Sequence, residues 1–172
     1  MRKTLFTLML MLVSALAVNA QSLTGKQWCT MIPDEDGSEI ALEMTFENNG
    51  ACVVKIVAVE EMKEGDMKMK INIGVEVDVH GTYKLNGKDL KINLAKEKAK
   101  VDIDIDIEGV DAQTQTMMKS MMKPELEKGK DEAKKELLKV LPDLDNATVV
   151  SLDNHRLVLA DQSGKELTFY AK

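Results

Sequence analysis

The chain has 172 residues and a formal net charge of −6, with 44% hydrophobic and only 3% aromatic residues. This length suits one domain with a sizeable core. The acidic balance predicts no nucleic acid as a partner, because phosphate backbones repel an acidic surface and no basic cluster interleaved with aromatic residues compensates.

Residues 1–20 have the pattern of a secretory signal peptide. Arg2 and Lys3 precede an apolar run that extends from Leu5 to Val18, and Val18 and Ala20 supply the small side chains of a cleavage site. The pattern predicts a secreted or periplasmic protein whose mature chain is a single domain at 21–172, although an uncleaved anchor stays an alternative. The run is short for a membrane span, and we expect no transmembrane segment in the mature chain.

The mature chain begins with alternating strand patterns. A first strand carries Trp28 and ends in a turn at residues 33–37, where Pro, Asp and Gly cluster. In Ile40–Phe46 the even positions are apolar, which places Met44 and Phe46 on the inner face. Asn48-Asn49-Gly50 predicts a hairpin turn, and residues 51–59 predict a further strand that is buried on much of both sides.

The most regular stretch is Met67–Val79, in which every odd position is apolar and every even one is polar or glycine. This alternation predicts a long strand with one apolar face and one solvated face. Gly74 lies on the solvated side, and we expect the strand to bend there and to close a barrel.

Two further strand patterns complete the first half, at residues 90–94 and at Val101–Ile107. The second alternates with four acidic residues, which are Asp102, Asp104, Asp106 and Glu108. Their spacing of about 6.6–7 Å along a strand does not suit one calcium ion, so the pattern favours a solvated face that discourages edge pairing.

Residues 111–141 change to helical periodicity, and three short strand patterns then follow, at 148–152, 156–160 and 166–170. Asp111 is the expected N-cap, and Pro124 predicts a break between a short first helix and a second helix that ends near Val140. The pattern as a whole predicts a mainly β protein, an antiparallel barrel of about 8–9 strands with a helical insert near 111–141.

Several short motifs resemble those of a secreted lipocalin-like (calycin-type) domain of Bacteroidetes. They are Trp28 on the first strand after a glycine, Phe46 before the Asn-Asn-Gly turn, Gly81-Thr82-Tyr83 ahead of Asn86-Gly87, Leu90-x-Ile92, Leu157-x-Leu159 and the terminal Phe169-Tyr170. The resemblance implies a non-enzymatic barrel that binds a small hydrophobic molecule in its interior. The other interpretation is a structural or protein-interaction module with a filled core and no small-molecule ligand.

The apolar positions of the inner faces define a predicted cavity wall. It consists of Trp28, Met44, Phe46, Met69, Ile71, Ile73, Val75, Ile103 and Ile105. Met118 and Met122 of the helical insert are predicted to form a lid. Packing is favoured for the methionine cluster, with a pliable ligand surface and a Cu(I) site as the alternatives.

No catalytic motif occurs in the sequence: the chain has no nucleophile elbow, phosphate loop or His-Glu-x-x-His. We therefore expect no enzyme activity, no cofactor and no metal. Cys29 and Cys52 leave two alternatives open, a disulfide in an oxidising compartment or two thiols.

Overall fold

Nine strands and one long helix form the part of the chain that the computed structural model describes, which is residues 23–33, 39–63 and 69–172. The strands are β1 (Gln27–Pro33), β2 (Glu39–Phe46), β3 (Ala51–Lys63), β4 (Lys70–Asn86), β5 (Asp89–Leu94), β6 (Lys100–Glu108), β7 (Ala147–Leu152), β8 (Arg156–Ala160) and β9 (Glu166–Ala171). Helix α1 (Ala112–Val140) connects β6 to β7, and a 3₁₀ turn at Lys96–Lys98 precedes β6. The predicted leader and Met67 lie outside the described residues.

Eight of these strands close into an antiparallel barrel. The order around the barrel is β1, β2, β3, β4, β5, β7, β8 and β9, and β9 pairs with β1 to complete it. The predicted mainly β fold is thus confirmed, as is the helical insert before the last three strands.

Strand β4 is the longest strand of the sheet, and its two edges pair differently. Along one edge it pairs with β3 over residues 70–82. Along the other edge β6 pairs with residues 70–78 and β5 pairs with residues 81–86. The first half of β4 therefore runs past the barrel and forms, with β6 and the end of β3, a three-stranded sheet that we call the extension.

Two glycines of β4 have different surroundings in the sheet. The β3–β4 register is continuous across Gly74, where a Cβ would meet only a carbonyl oxygen at 3.9 Å, so no bulge forms there. At Gly81 a Cβ would lie 2.3 Å from the carbonyl oxygen of Asn93 on β5. The glycine that the fold requires is Gly81, where β4 passes from the extension into the barrel and approaches β5 closely.

Helix α1 is continuous through Pro124, so the expected break into two helices is wrong. Met122 and Leu126, on either side of the proline, pack against the same apolar cluster, which holds both halves of the helix in line. The predicted N-cap is confirmed: the Asp111 carboxylate accepts hydrogen bonds from the backbone N–H groups of Gln113 and Thr114, both at 3.0 Å.

Candidate ligand-binding site

The interior of the barrel is occupied by the protein's own side chains. Trp28, Met44, Phe46 and Phe169 are all almost completely buried in one apolar cluster that takes residues from every barrel strand. The Trp28 indole N–H donates to the carbonyl of Leu23 at 2.9 Å, which satisfies the polar atom that the ring carries into the core. Large aromatic and aliphatic side chains can fill a barrel of eight strands in this way.

A second apolar cluster lies outside the barrel, between the extension and the first half of α1. Its buried members are Ile71, Ile105 and Ile107. Half-buried side chains pack against them from the sheet and from the helix, and these are Met69, Ile73, Val110, Met118, Met122 and Leu126. The apolar face of β4 therefore serves both clusters: Val77 and Val79 face the barrel interior, whereas Ile71 and Ile73 face the helix.

The structure divides the predicted cavity wall between these two places. Trp28, Met44 and Phe46 lie in the barrel core, and Val75 packs against the edge of that core. The remaining members face α1 on the extension, and they are Met69, Ile71, Ile73, Ile103 and Ile105.

The two predicted lid residues, Met118 and Met122, contact the second cluster. Met117 and Met121 point away from it and are 57% and 69% exposed. The lid function stays a prediction, and its position in the fold is over the extension.

A cleft of about 190 Å³ opens beside this second cluster, between β6 and α1. Its apolar lining comes from Ile103, Ile105 and Leu126. Two lysines, Lys119 and Lys123, stand one helical turn apart along the helix side of the cleft. The two lysines were not predicted as site residues, although each directly follows Met118 or Met122 and therefore lies beside the apolar stripe of the helix.

Two acidic residues, Asp104 and Glu127, also belong to the lining of the cleft. Glu127 forms an ion pair with Lys130 at 2.8 Å. In the described part of the chain neither Lys119 nor Lys123 has an ion-pair partner. The cleft thus combines three apolar lining residues with two lysines that form no ion pair among the described residues.

A second and more open concavity lies on another side of α1, next to the 3₁₀ turn. Its volume is about 390 Å³, and most of its lining residues are charged, among them Lys96, Lys134 and Lys135. Lys134 donates to the backbone carbonyl of Glu97 at 3.4 Å. This concavity has one apolar lining residue, Leu138, whereas the cleft beside β6 has three.

The two cysteines are free thiols on opposite faces of the barrel wall. Cys52 lies in the barrel core, and burial raises its pKa to about 11. Cys29 is half-buried beside Glu43, and burial and the neighbouring carboxylate both raise its pKa. Both thiols are therefore protonated at neutral pH and are poor nucleophiles.

Neither a metal cluster nor a membrane-spanning helix is present in the described ranges. No group of three His, Cys, Asp or Glu side chains is arranged there to hold a metal ion. Likewise, no helix among these residues is both long enough and apolar enough to cross a membrane.

Fold and site together define an antiparallel β-barrel with a filled core and an appended sheet that a helix covers. No family model matches the chain, and no curated protein is significantly similar to it in sequence. The particular function is therefore inferred from the geometry of the cleft.

Proposed function

We propose that this protein is a non-enzymatic, extracytoplasmic binding protein of the lipocalin-like kind, and that its small apolar ligand lies between α1 and β6. The supporting observation is the division of the apolar inner face of β4. Its barrel half is covered by Trp28, Phe46 and other large side chains, whereas its other half packs against α1, next to a cleft that residues of β6 and α1 line. Apolar pockets with a few polar groups at the rim are the usual sites for small ligands.

The half-buried methionines support a site that adapts its shape. Met118 and Met122 have unbranched, polarizable side chains that repack at low cost. The cleft is smaller than the 300–1,000 Å³ of typical ligand pockets. These two side chains pack in the same cluster as Ile105 and Leu126 of the cleft lining, so their movement would enlarge the cleft and leave the barrel core unchanged.

Displacement of a fluorescent apolar probe, N-phenyl-1-naphthylamine, tests the location of the site. We expect Ile103→Trp to abolish probe binding, because the indole would occupy the cleft that Ile103 lines. The matched control is Val150→Trp, which places the same ring on β7 at a side chain that is 42% exposed. Unchanged probe binding by Ile103→Trp, with a folded circular dichroism spectrum, would contradict the proposed location.

Export is part of the proposal, and it is supported by the charge and hydropathy pattern of residues 1–20. When the full chain is expressed in a Gram-negative host, we expect the protein in the periplasmic fraction with Gln21 at its N-terminus. Intact-mass analysis measures this directly. A protein that keeps Met1 and stays in the cytoplasm would refute export.

The second candidate function is a protein-interaction module that acts through the outer face of β1–β3. Met31 and Val59 are 53% and 59% exposed on this face, and Ala41 and Val57 lie between them in the register. Sedimentation velocity at increasing concentration tests self-association through this face. A concentration-dependent dimer that Met31→Ser with Val59→Thr removes would favour this function.

A further inference from the structure

We propose that the ligand of the cleft is a single-chain amphiphile whose anionic group binds Lys119 and Lys123. This inference rests on the proposed function, because it specifies the chemistry of the ligand at the same site. Its tail is expected to lie on the apolar wall that β6 and Leu126 provide.

The spacing of the two lysines suits one anionic group. Residues four apart on a helix lie on one face, about 6 Å apart along the axis at 1.5 Å per residue. The flexible stems of two lysines can therefore bring both ammonium groups to the same carboxylate. Lys119 is half-buried at the cleft, which lets its methylene stem extend over apolar surface while the charge remains at the rim.

The acidic residues of the cleft leave this positive charge largely uncompensated. Glu127 is already paired with Lys130. Asp104 alternates with Ile103 and Ile105 along β6, so its exposed carboxylate belongs to the opposite face of the extension. The two free ammonium groups therefore favour an anion at the mouth of the cleft over a neutral or cationic headgroup.

The apolar wall sets the orientation of the ligand. Ile103, Ile105 and Leu126 line the cleft, and the second cluster, with Ile71 and Met122, lies directly behind it. A tail that enters here removes apolar surface from water at about 25 cal/mol per Å². With 190 Å³ available, a short or medium chain fits better than a long one.

The test compares decanoate, decanol and decyltrimethylammonium as competitors of N-phenyl-1-naphthylamine. For the unmodified protein we expect decanoate to displace the probe at lower concentration than the other two. In Lys119→Gln/Lys123→Gln the affinity for decanoate should fall about five- to tenfold, since two partly exposed ion pairs are lost, while the affinity for decanol stays the same. High salt should also weaken decanoate binding by the unmodified protein, because it screens the attraction between the carboxylate and the two lysines.

Lys134→Gln/Lys135→Gln is the matched control, because it removes the same charge from the same helix at the other concavity. Decanoate binding by this variant should equal that of the unmodified protein. If both double variants lose affinity equally, or if decanol competes as well as decanoate, the anionic preference is refuted while the apolar site stands. If no competitor displaces the probe and Ile103→Trp has no effect, the proposed function fails as well.

Discussion

Truncation of Phe169 tests whether the barrel is a filled core. The ring is fully buried within the cluster that also contains Trp28 and Phe46. Loss of its transfer free energy costs about 1.5–3 kcal/mol. The space left behind adds about 24 cal/mol per Å³ of residual cavity, so Phe169→Ala should lower the free energy of unfolding by about 3–5 kcal/mol.

Urea unfolding followed by tryptophan emission measures this loss, because Trp28 is the only tryptophan and is buried in the same core. Tyr170→Ala is the control, since the adjacent ring is 61% exposed and its loss should change stability by less than about 0.5 kcal/mol. Phe169→Leu keeps most of the side-chain volume, so it should lower the free energy of unfolding by less than about 1.5 kcal/mol. This variant should stay folded even if Phe169→Ala does not. If Phe169→Ala costs less than about 1.5 kcal/mol at an unchanged denaturant slope, the ring lines a pre-existing cavity and the filled-core interpretation is wrong.

Four further predictions concern two glycines, the helix cap and the thiols. Gly81→Ala should destabilise the protein by at least about 2 kcal/mol in urea unfolding, because a Cβ would lie 2.3 Å from a carbonyl oxygen of β5. In contrast Gly129→Ala, at an open position within α1, should stabilise it by about 1 kcal/mol. The N–H and O–H groups of Thr114 donate to the Asp111 carboxylate and hold its pKa below the usual 3.8. The charged cap therefore stabilises the folded state fully at pH values above 3.8, and this stabilisation is lost as the pH falls through the lower pKa of the folded state. Thermal melts should therefore show that Asp111→Ala lowers the melting temperature at neutral pH, with a difference that disappears in acid. Titration with a disulfide reagent at neutral pH should modify Cys29 before Cys52, and equal rates would contradict the burial of Cys52.

The alternation of apolar and polar side chains was enough to predict where most of the strands lie. The predicted strands at Ile40–Phe46 and Val101–Ile107 match β2 and β6 to within one residue at each end. These segments are amphipathic over their whole length, and local pattern and tertiary burial agree in them. The predicted N-cap at Asp111 is equally local, because the bonds that it accepts come from residues two and three positions later.

The division of the apolar face could not be predicted in the same way. A period of two shows that Ile71 and Val77 share a face, but it does not show what covers each of them. The side chains that bury each residue depend on the strand that pairs with β4 at that point, and this partner changes from β6 to β5 along β4. The assumed break at Pro124 failed for a related reason, since a proline penalty of about 3 kcal/mol was offset by packing that the helix sequence alone does not reveal.

The two halves of α1 pack on different apolar clusters, and this difference connects the fold to the proposed site. Leu137 is the buried residue of the helix, and it joins the barrel core together with Leu141. The first half instead rests on half-buried Met118 and Met122, which make adaptable contacts. The barrel core therefore packs against the C-terminal end of the helix, and the N-terminal half packs on the extension, next to the cleft that Lys119 lines.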